Sequence, residues 1–482
     1  MISIKQQAVS GVVWSAVERF SSLAIQMICT LVIAQFLTPA DFGVFGMLTF
    51  FTAISQCLVD SGFRTALIRK NDAQDVDYSS VFYFNILFSI VLYLVLFSLA
   101  SPISVFYDTP ILEDVCKYSF LVIPISSIGL IQGTILTKKL KFKTITSATI
   151  IAASVSGIAG IAWAYVFRNL WALVFQNLLY YTLQTLLLWI ITNWRPVFKF
   201  SILSIKNLFS FSFNMMLGTL IATICNNVYL LVIGKLYTPT ALGNYTQAQK
   251  LQSIPSSSIT EVIQRVSYPV LVKFQEDDEM LKYAYKKMIG LTFFVVSNIM
   301  FLLMGVSTPL FNILFSEEWN MAGRFFAILC FNGVFYPLHS INLNILTVKG
   351  KSKEFLYLEV SRRCILMLII AISAFGTIEV FVWGQVAYSI IVLVLNLTVC
   401  GRYIQYSLLE QVKDLLPSFL LGLFTMSIIK FVIPIFIVNT WLLICGQLFV
   451  GSIIILSIAY ITNNCFYKEL IQIVRPVSYT HL

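Results

Sequence analysis

A chain of 482 residues that is 58% hydrophobic and only 11% charged cannot fold as a water-soluble globule, because soluble domains carry roughly 25% charged residues. Its mean hydropathy of +0.86 places it in a bilayer. The net charge of +10 is accounted for by membrane topology and by contact with anionic lipid, so nucleic acid is set aside as a partner.

A hydrocarbon core about 30 Å thick takes about 20 apolar residues per helix. In chain order the sequence predicts an all-α polytopic protein with fourteen spans, near 12–36, 43–62, 79–101, 116–136, 144–166, 170–192, 208–236, 243–270, 288–308, 322–347, 361–377, 380–403, 414–436 and 440–463. The first follows a short tail carrying Lys5 and has no small-residue cleavage pattern, so it reads as a span and not as a cleavable signal. Along it Ser15, Glu18, Arg19, Ser22, Gln26 and Thr30 project within a sector of about 120° at about 100° per residue.

The first span runs into LVIAQFLTPADFGVF from Leu31, and the seventh runs into LVIGKLYTPTALGNY from Leu231. Leu-Val-Ile, Thr-Pro and the following Gly recur in register, the mark of a parallel internal repeat as in many secondary transporters. The repeat divides the chain into a six-helix lobe over 1–200, a second over 201–405, two further helices over 406–467 and a tail over 468–482. The last seven residues, PVSYTHL, resemble a translated library adapter, so His481 is left out of functional reasoning.

The eighth span is the most polar: Gln247, Lys250, Ser257, Ser258, Glu261, Arg265 and Tyr268 share a face, with Pro255 midway. In the tenth, Asn332, His339 and Asn342 align and Pro337 stands beside His339. Burying Glu or Arg at helix depth costs roughly 2.5 to 3.5 kcal/mol apiece, so such stripes must face water or partners. Inter-helix pairing of Glu18 with Arg19, and of Glu261 with Arg265 at i,i+4, would be the structural account. The functional account is a hydrated cavity between lobes. There Arg19, Lys250 and Arg265 meet an anionic substrate, while amides and hydroxyls such as Gln26, Asn332 and Asn342 meet sugar rings. A lone membrane histidine such as His339 is more often a packing residue than a proton carrier.

Basic residues cluster after every second span: Arg64, Arg69 and Lys70; Lys138, Lys139, Lys141 and Lys143; Arg195, Lys199 and Lys206; Lys273, Lys282, Lys286 and Lys287; Lys349, Lys351, Lys353, Arg362 and Arg363; Arg402 and Lys413; Lys468 and Arg475. The alternate connections hold only Lys117, Arg168, Lys235 and Arg324. The positive-inside rule then places both termini in the cytoplasm and requires an even number of spans.

Signs of enzyme chemistry are thin. Gly350-Lys351-Ser352 ends like a phosphate loop, yet Ile345 stands where the upstream glycine should be. Acidic spots such as Asp108 with Glu113 and Asp114, or Glu317 with Glu318, read as solvated helix ends. The nine cysteines show no C-x-x-C and read as buried small hydrophobes, without a metal or disulfide role.

Several motifs in sequence carry a resemblance: WSAVERFSS, FLTPADFG, VDSGFRTALIRK, NLWALVFQNL, WRP, IGKLYTPTALGNYTQAQKL, and LHSINLNIL followed by KGKS. From about Ser10 to about Cys465 the chain resembles the polysaccharide-transport (Wzx-like) branch of the multidrug/oligosaccharidyl-lipid/polysaccharide exporter superfamily, in the subgroup of colanic-acid and teichuronic-acid type exporters. The resemblance implies two six-helix bundles plus two helices, alternating access, and no catalysis or cofactor. It also implies flipping of an undecaprenyl-diphosphate-linked oligosaccharide across the bacterial inner membrane for lipopolysaccharide, capsule or exopolysaccharide, alongside a polymerase and export machinery. Glu18, Arg19, Lys250, Glu261 and Arg265 fall on polar family positions. A drug or cation antiporter of the superfamily would share the fold but should concentrate carboxylates in the membrane, and efflux assays separate it. A polysaccharide polymerase or glycosyltransferase would need catalytic groups at one face, and a transfer assay separates that reading.

Overall fold

Each of the fourteen expected segments is helical in the structure, a computed structural model. It describes residues 4–468 apart from 61, 71, 438 and 463–465, and not the side chains of 4–13, 16, 210, 211, 214, 262, 265–269 and 352. PVSYTHL and His481 therefore lie outside the described residues. The long helices are α1 Ile4–Ile33, α2 Pro39–Asp60, α3 Asp75–Ser98, α4 Val122–Lys138, α5 Phe142–Phe167, α6 Trp171–Ile191 and α7 Ile202–Leu236. They continue with α8 Pro239–Lys273, α9 Asp278–Gly305, α10 Asn320–Val334 with Tyr336–Val348, α11 Ser352–Ser373, α12 Ile378–Arg402, α13 Leu408–Ser427 and α14 Thr440–Ile461.

Among the described residues eleven helices are long and apolar enough to cross a membrane, and no strand is present. The protein is a multi-pass membrane protein, while fourteen stands as an expectation. The segments outside the eleven are α1, α8 and α11, long helices that carry Glu18 and Arg19, Lys250 and Glu261, and Glu359, Arg362 and Arg363 respectively. Large apolar side chains such as Ile190, Phe375 and Phe436 are exposed, as lipid contact requires.

Contacts divide the chain into one unit running to Gly243 and another beginning at Asn244. The first holds α1 to α7 and the opening of α8. In it α1 packs on α5, α5 on α6, α4 on α3 and α6, and α7 on α2. The expected repeat boundary precedes α7, so contact and repeat divide the chain at different points.

The repeated Thr-Pro is a helix start used twice. Proline at the first helical position has a preset φ and lacks only an N–H that would be unpaired there. Thr38 Oγ1 accepts from Asp41 N at 3.3 Å, and Thr238 Oγ1 accepts from Ala241 N at 3.2 Å. The glycines that follow explain the rest of the motif. A Cβ on Gly43 would fall 1.7 Å from the Pro239 carbonyl oxygen, and one on Gly243 would fall 1.8 Å from that of Pro39. The two copies therefore meet backbone to backbone and reciprocally, which small residues at helix contacts permit.

In the second unit α9 packs on α10 and α13, α12 on α10 and α11, and α14 on α13. A capping box, Ser407 with Glu410, starts α13. Lys282 and Lys286 of α9 reach Glu410 at 3.2 Å and Asp414 at 2.7 Å, fastening α13 to the unit.

Candidate functional site

A polar cavity opens inside the first unit, with a volume of about 460 Å³. Helix α1 lends it Ser15 and Glu18, α2 lends Gln56 and Asp60, α4 lends Ser126 and Thr137, and α6 lends Tyr181, Gln184 and Thr185. Arg64 joins because of a break in the chain. Helix α2 ends at Asp60, Gly62 adopts φ 67°, and a short helix Phe63–Arg69 begins. Only glycine takes that left-handed conformation at no cost, and a Cβ there would also fall 2.4 Å from the Ser212 carbonyl oxygen. The turn leaves Arg64 Nε 3.9 Å from Asp60 Oδ1, with both side chains 46% exposed. This is a loose pair and not a hydrogen bond.

The remaining groups form short chains of polar contacts. Thr149 Oγ1 donates to Glu18 Oε1 at 3.4 Å and accepts from Gln184 Nε2 at 3.3 Å. Gln56 Nε2 donates to the Tyr181 hydroxyl at 3.0 Å. Room comes from Gly133 of α4, while Gly129, one turn before it, lets α6 approach: a Cβ there would fall 3.0 Å from Thr185 Oγ1. With two carboxylates to one guanidinium, this cavity leans acidic.

The expected α1 stripe splits. Glu18 is half-buried and lines the cavity, whereas Arg19 and Gln26 are exposed and do not line it. In the second unit Lys250 is exposed on α8, and among the described residues no carboxylate lies within 4 Å of its ammonium. Glu261 is partly buried. The Arg265 and Tyr268 side chains lie outside the described residues. Gln264, between them, takes the contact to α10: its Oε1 accepts from Ser340 Oγ at 2.8 Å.

On α10, His339 Nε2 lies 2.8 Å from Ser389 Oγ and its Nδ1 lies 3.2 Å from Asn396 Nδ2. The amide nitrogen can only donate, so with this amide orientation Nδ1 accepts and Nε2–H donates to the serine, an assignment made from the network. Asn332 is partly buried, and its Oδ1 has no hydrogen-bond partner among the described residues. Asn342 is fully buried, accepts a hydrogen bond from the Tyr285 hydroxyl and donates to Leu338 O at 2.6 Å. The structure thus holds His339 against α12 and Asn342 against α9, so these neighbours on α10 have partners on different helices.

The sequence pattern pointed to Glu18 but missed Gln56, Asp60, Tyr181 and Gln184, and counted Arg64 with the loop charges. The available signal was Asp60-Ser61-Gly62-Phe63-Arg64, a glycine between opposite charges at a helix end. Among the described residues no group of three or more His, Cys, Asp and Glu is placed to hold a metal ion. The eight described cysteines are free.

Known proteins place this architecture. The chain is 24% identical over 439 residues to the teichuronic acid biosynthesis protein TuaB of Bacillus subtilis, covering 89% of this chain and 90% of that protein. It is 21% identical over 479 residues to the succinoglycan biosynthesis transport protein ExoT of Rhizobium meliloti, covering 96% and 94%. Its fold is similar to that of the lipid II flippase MurJ in an inward closed conformation, with TM-score 0.76 and 16% identity over 95% of this chain and 100% of that one. A multidrug resistance MATE family transporter in an inward-facing conformation follows at TM-score 0.59 and 12% identity, covering 82% and 99%. The pattern of the polysaccharide biosynthesis protein family matches residues 32–324, more than half of the chain, and the protein belongs to that family.

Proposed function

We propose that this protein flips an undecaprenyl-diphosphate-linked oligosaccharide across the bacterial inner membrane for assembly of a cell-surface polysaccharide, with both termini in the cytoplasm. The observation that carries this reading is a cavity of about 460 Å³ lined by carboxylates, amides and hydroxyls inside an otherwise apolar helical unit. A sugar head cannot cross hydrocarbon without such a lining, while its polyprenyl tail can stay in lipid. The relatives are named for teichuronic acid biosynthesis and succinoglycan transport, and MurJ for flipping lipid II.

In this account Lys250, with Arg19 and Arg265, meets the diphosphate, since ionised donors bind phosphate oxygens about twice as strongly as neutral ones. The lobes over 1–200 and 201–405 alternate in exposing the head to either side, each state being selected by its contacts with the substrate. The protein transports the lipid-linked sugar and does not elongate it. A polymerase and export machinery act on what it delivers.

Deletion of the gene in its native host tests the reading. Lipid-linked repeat units accumulate on the cytoplasmic leaflet and surface polymer disappears. Unchanged surface polymer, or elongation of lipid-linked sugar by the purified protein, overturns it. Cation exchange is a second reading, favoured by the two carboxylates in the first unit's cavity. It requires sodium- or proton-driven efflux of organic cations by proteoliposomes.

A further inference from the structure

We propose that the cavity of the first unit is a subsite for an uncharged sugar ring of the carried head group and excludes its diphosphate. This rests on the flippase reading above. Glu18 and Asp60 outnumber Arg64, so the lining holds no surplus positive charge to set against the two negative charges that a diphosphate would bring into it. A sugar hydroxyl both donates and accepts, and therefore needs a lining of both kinds. Carboxylates accept, Arg64 donates, and the Gln56 and Gln184 amides and the Tyr181 hydroxyl do both.

Two features show that the lining is not already saturated. Asp60 Oδ1 has no hydrogen-bond partner among the described residues. Its contact with Arg64 is 3.9 Å long and both side chains are 46% exposed, so each can turn to a ligand without breaking a hydrogen bond between them. Space is sufficient: about 460 Å³ is roughly fifteen water volumes of about 30 Å³, within the range of about 300–1,000 Å³ for small-molecule pockets. Gly133 on α4 leaves open a part of the cavity that a longer side chain there would fill.

Gly133 provides the test. A Cβ built on it lies 3.5 Å from Arg64 Nη2, an ordinary contact. The first carbon of a larger side chain therefore fits, and the remainder enters the cavity. Gly133→Leu is compared with Gly218→Leu on α7, where a Cβ meets nothing within 4 Å, and with Asp60→Asn, which keeps the volume and removes the charge. The full-length protein in detergent is titrated with two probes: the oligosaccharide released from its lipid by mild acid, and inorganic pyrophosphate. Saturation-transfer NMR reports binding of the oligosaccharide, and broadening of the phosphorus NMR line reports binding of pyrophosphate, which has no carbon-bound protons.

The expected result is sugar binding by wild type and Gly218→Leu, weakened tenfold or more by Gly133→Leu and severalfold by Asp60→Asn, with pyrophosphate binding unchanged in all four proteins. Sugar binding indifferent to both cavity variants, no binding by wild type at millimolar sugar, or pyrophosphate binding lost on filling the cavity overturns the proposal. Should Gly133→Leu fail to fold, Asp60→Asn decides alone. A wild type that flips lipid-linked sugar while its cavity variants bind normally refutes the subsite and leaves the flippase standing. A wild type that binds sugar through this cavity yet flips nothing refutes the flippase reading.

Discussion

Alanine at Gly43 or Gly243 tests whether the two copies of the repeat meet as the structure places them. The added carbon falls 1.7 Å from Pro239 O in the first case and 1.8 Å from Pro39 O in the second. Carbon–oxygen contacts settle near about 3.3 Å, so the two helix starts must separate by about 1.6 Å. Overpacking of that kind costs roughly 1–3 kcal/mol, a fall of about 2–12 °C in melting temperature at ~2–4 °C per kcal/mol for a unit of this size. Because the contact is reciprocal, the gap opened by one alanine already accommodates the other. The double variant therefore melts well above the sum of the two losses, a coupling of about 0.5–3 kcal/mol. Thermal unfolding in detergent of wild type, both singles and the double measures this. Singles indistinguishable from wild type, or a double that is simply additive, refute the geometry.

Lys250→Arg keeps substantial export and Lys250→Gln loses most of it, because a point charge facing a diphosphate survives the first change only; equal export by both variants returns Lys250 to a surface role. Reporter tags near Lys141 and Lys351 read cytoplasmic and tags near Tyr107 and Glu317 read external, as the basic loops require; opposite readings at any two sites sink the fourteen-span topology. Tyr285→Phe strands the buried Asn342 Oδ1 and costs about 1–3 kcal/mol, seen as a lower melting temperature with export retained. Export lost without destabilisation would move Asn342 back to substrate contact.

Much of the helix order was legible because spans in lipid are long and apolar, a signal that survives without knowledge of neighbours. The site was less legible because helical periodicity gives a sector and not a contact. Glu18 and Arg19 are adjacent, about 100° apart on the helix, and only one of them reaches the cavity. His339 and Asn342 lie three residues apart on one face, yet their partners, Asn396 of α12 and Tyr285 of α9, come from different neighbours. Arg64 was hidden for another reason. A positive φ at Gly62 re-aims the chain, so a residue that reads as a loop charge turns inward. The reciprocal contact of the Thr-Pro and Gly motifs was visible only as a repeat, since repetition states likeness and not contact.

Whether the protein by itself moves a lipid-linked sugar can be measured without its partners. Purified protein in liposomes, loaded with lipid-linked oligosaccharide from the host and challenged with an impermeant galactose oxidase or lectin that reads only the outer leaflet, measures that directly. On the flippase reading the protected inner-leaflet pool becomes accessible in the presence of wild type, and slowly or not at all with Lys250→Gln. A pool that stays protected in wild-type liposomes contradicts it.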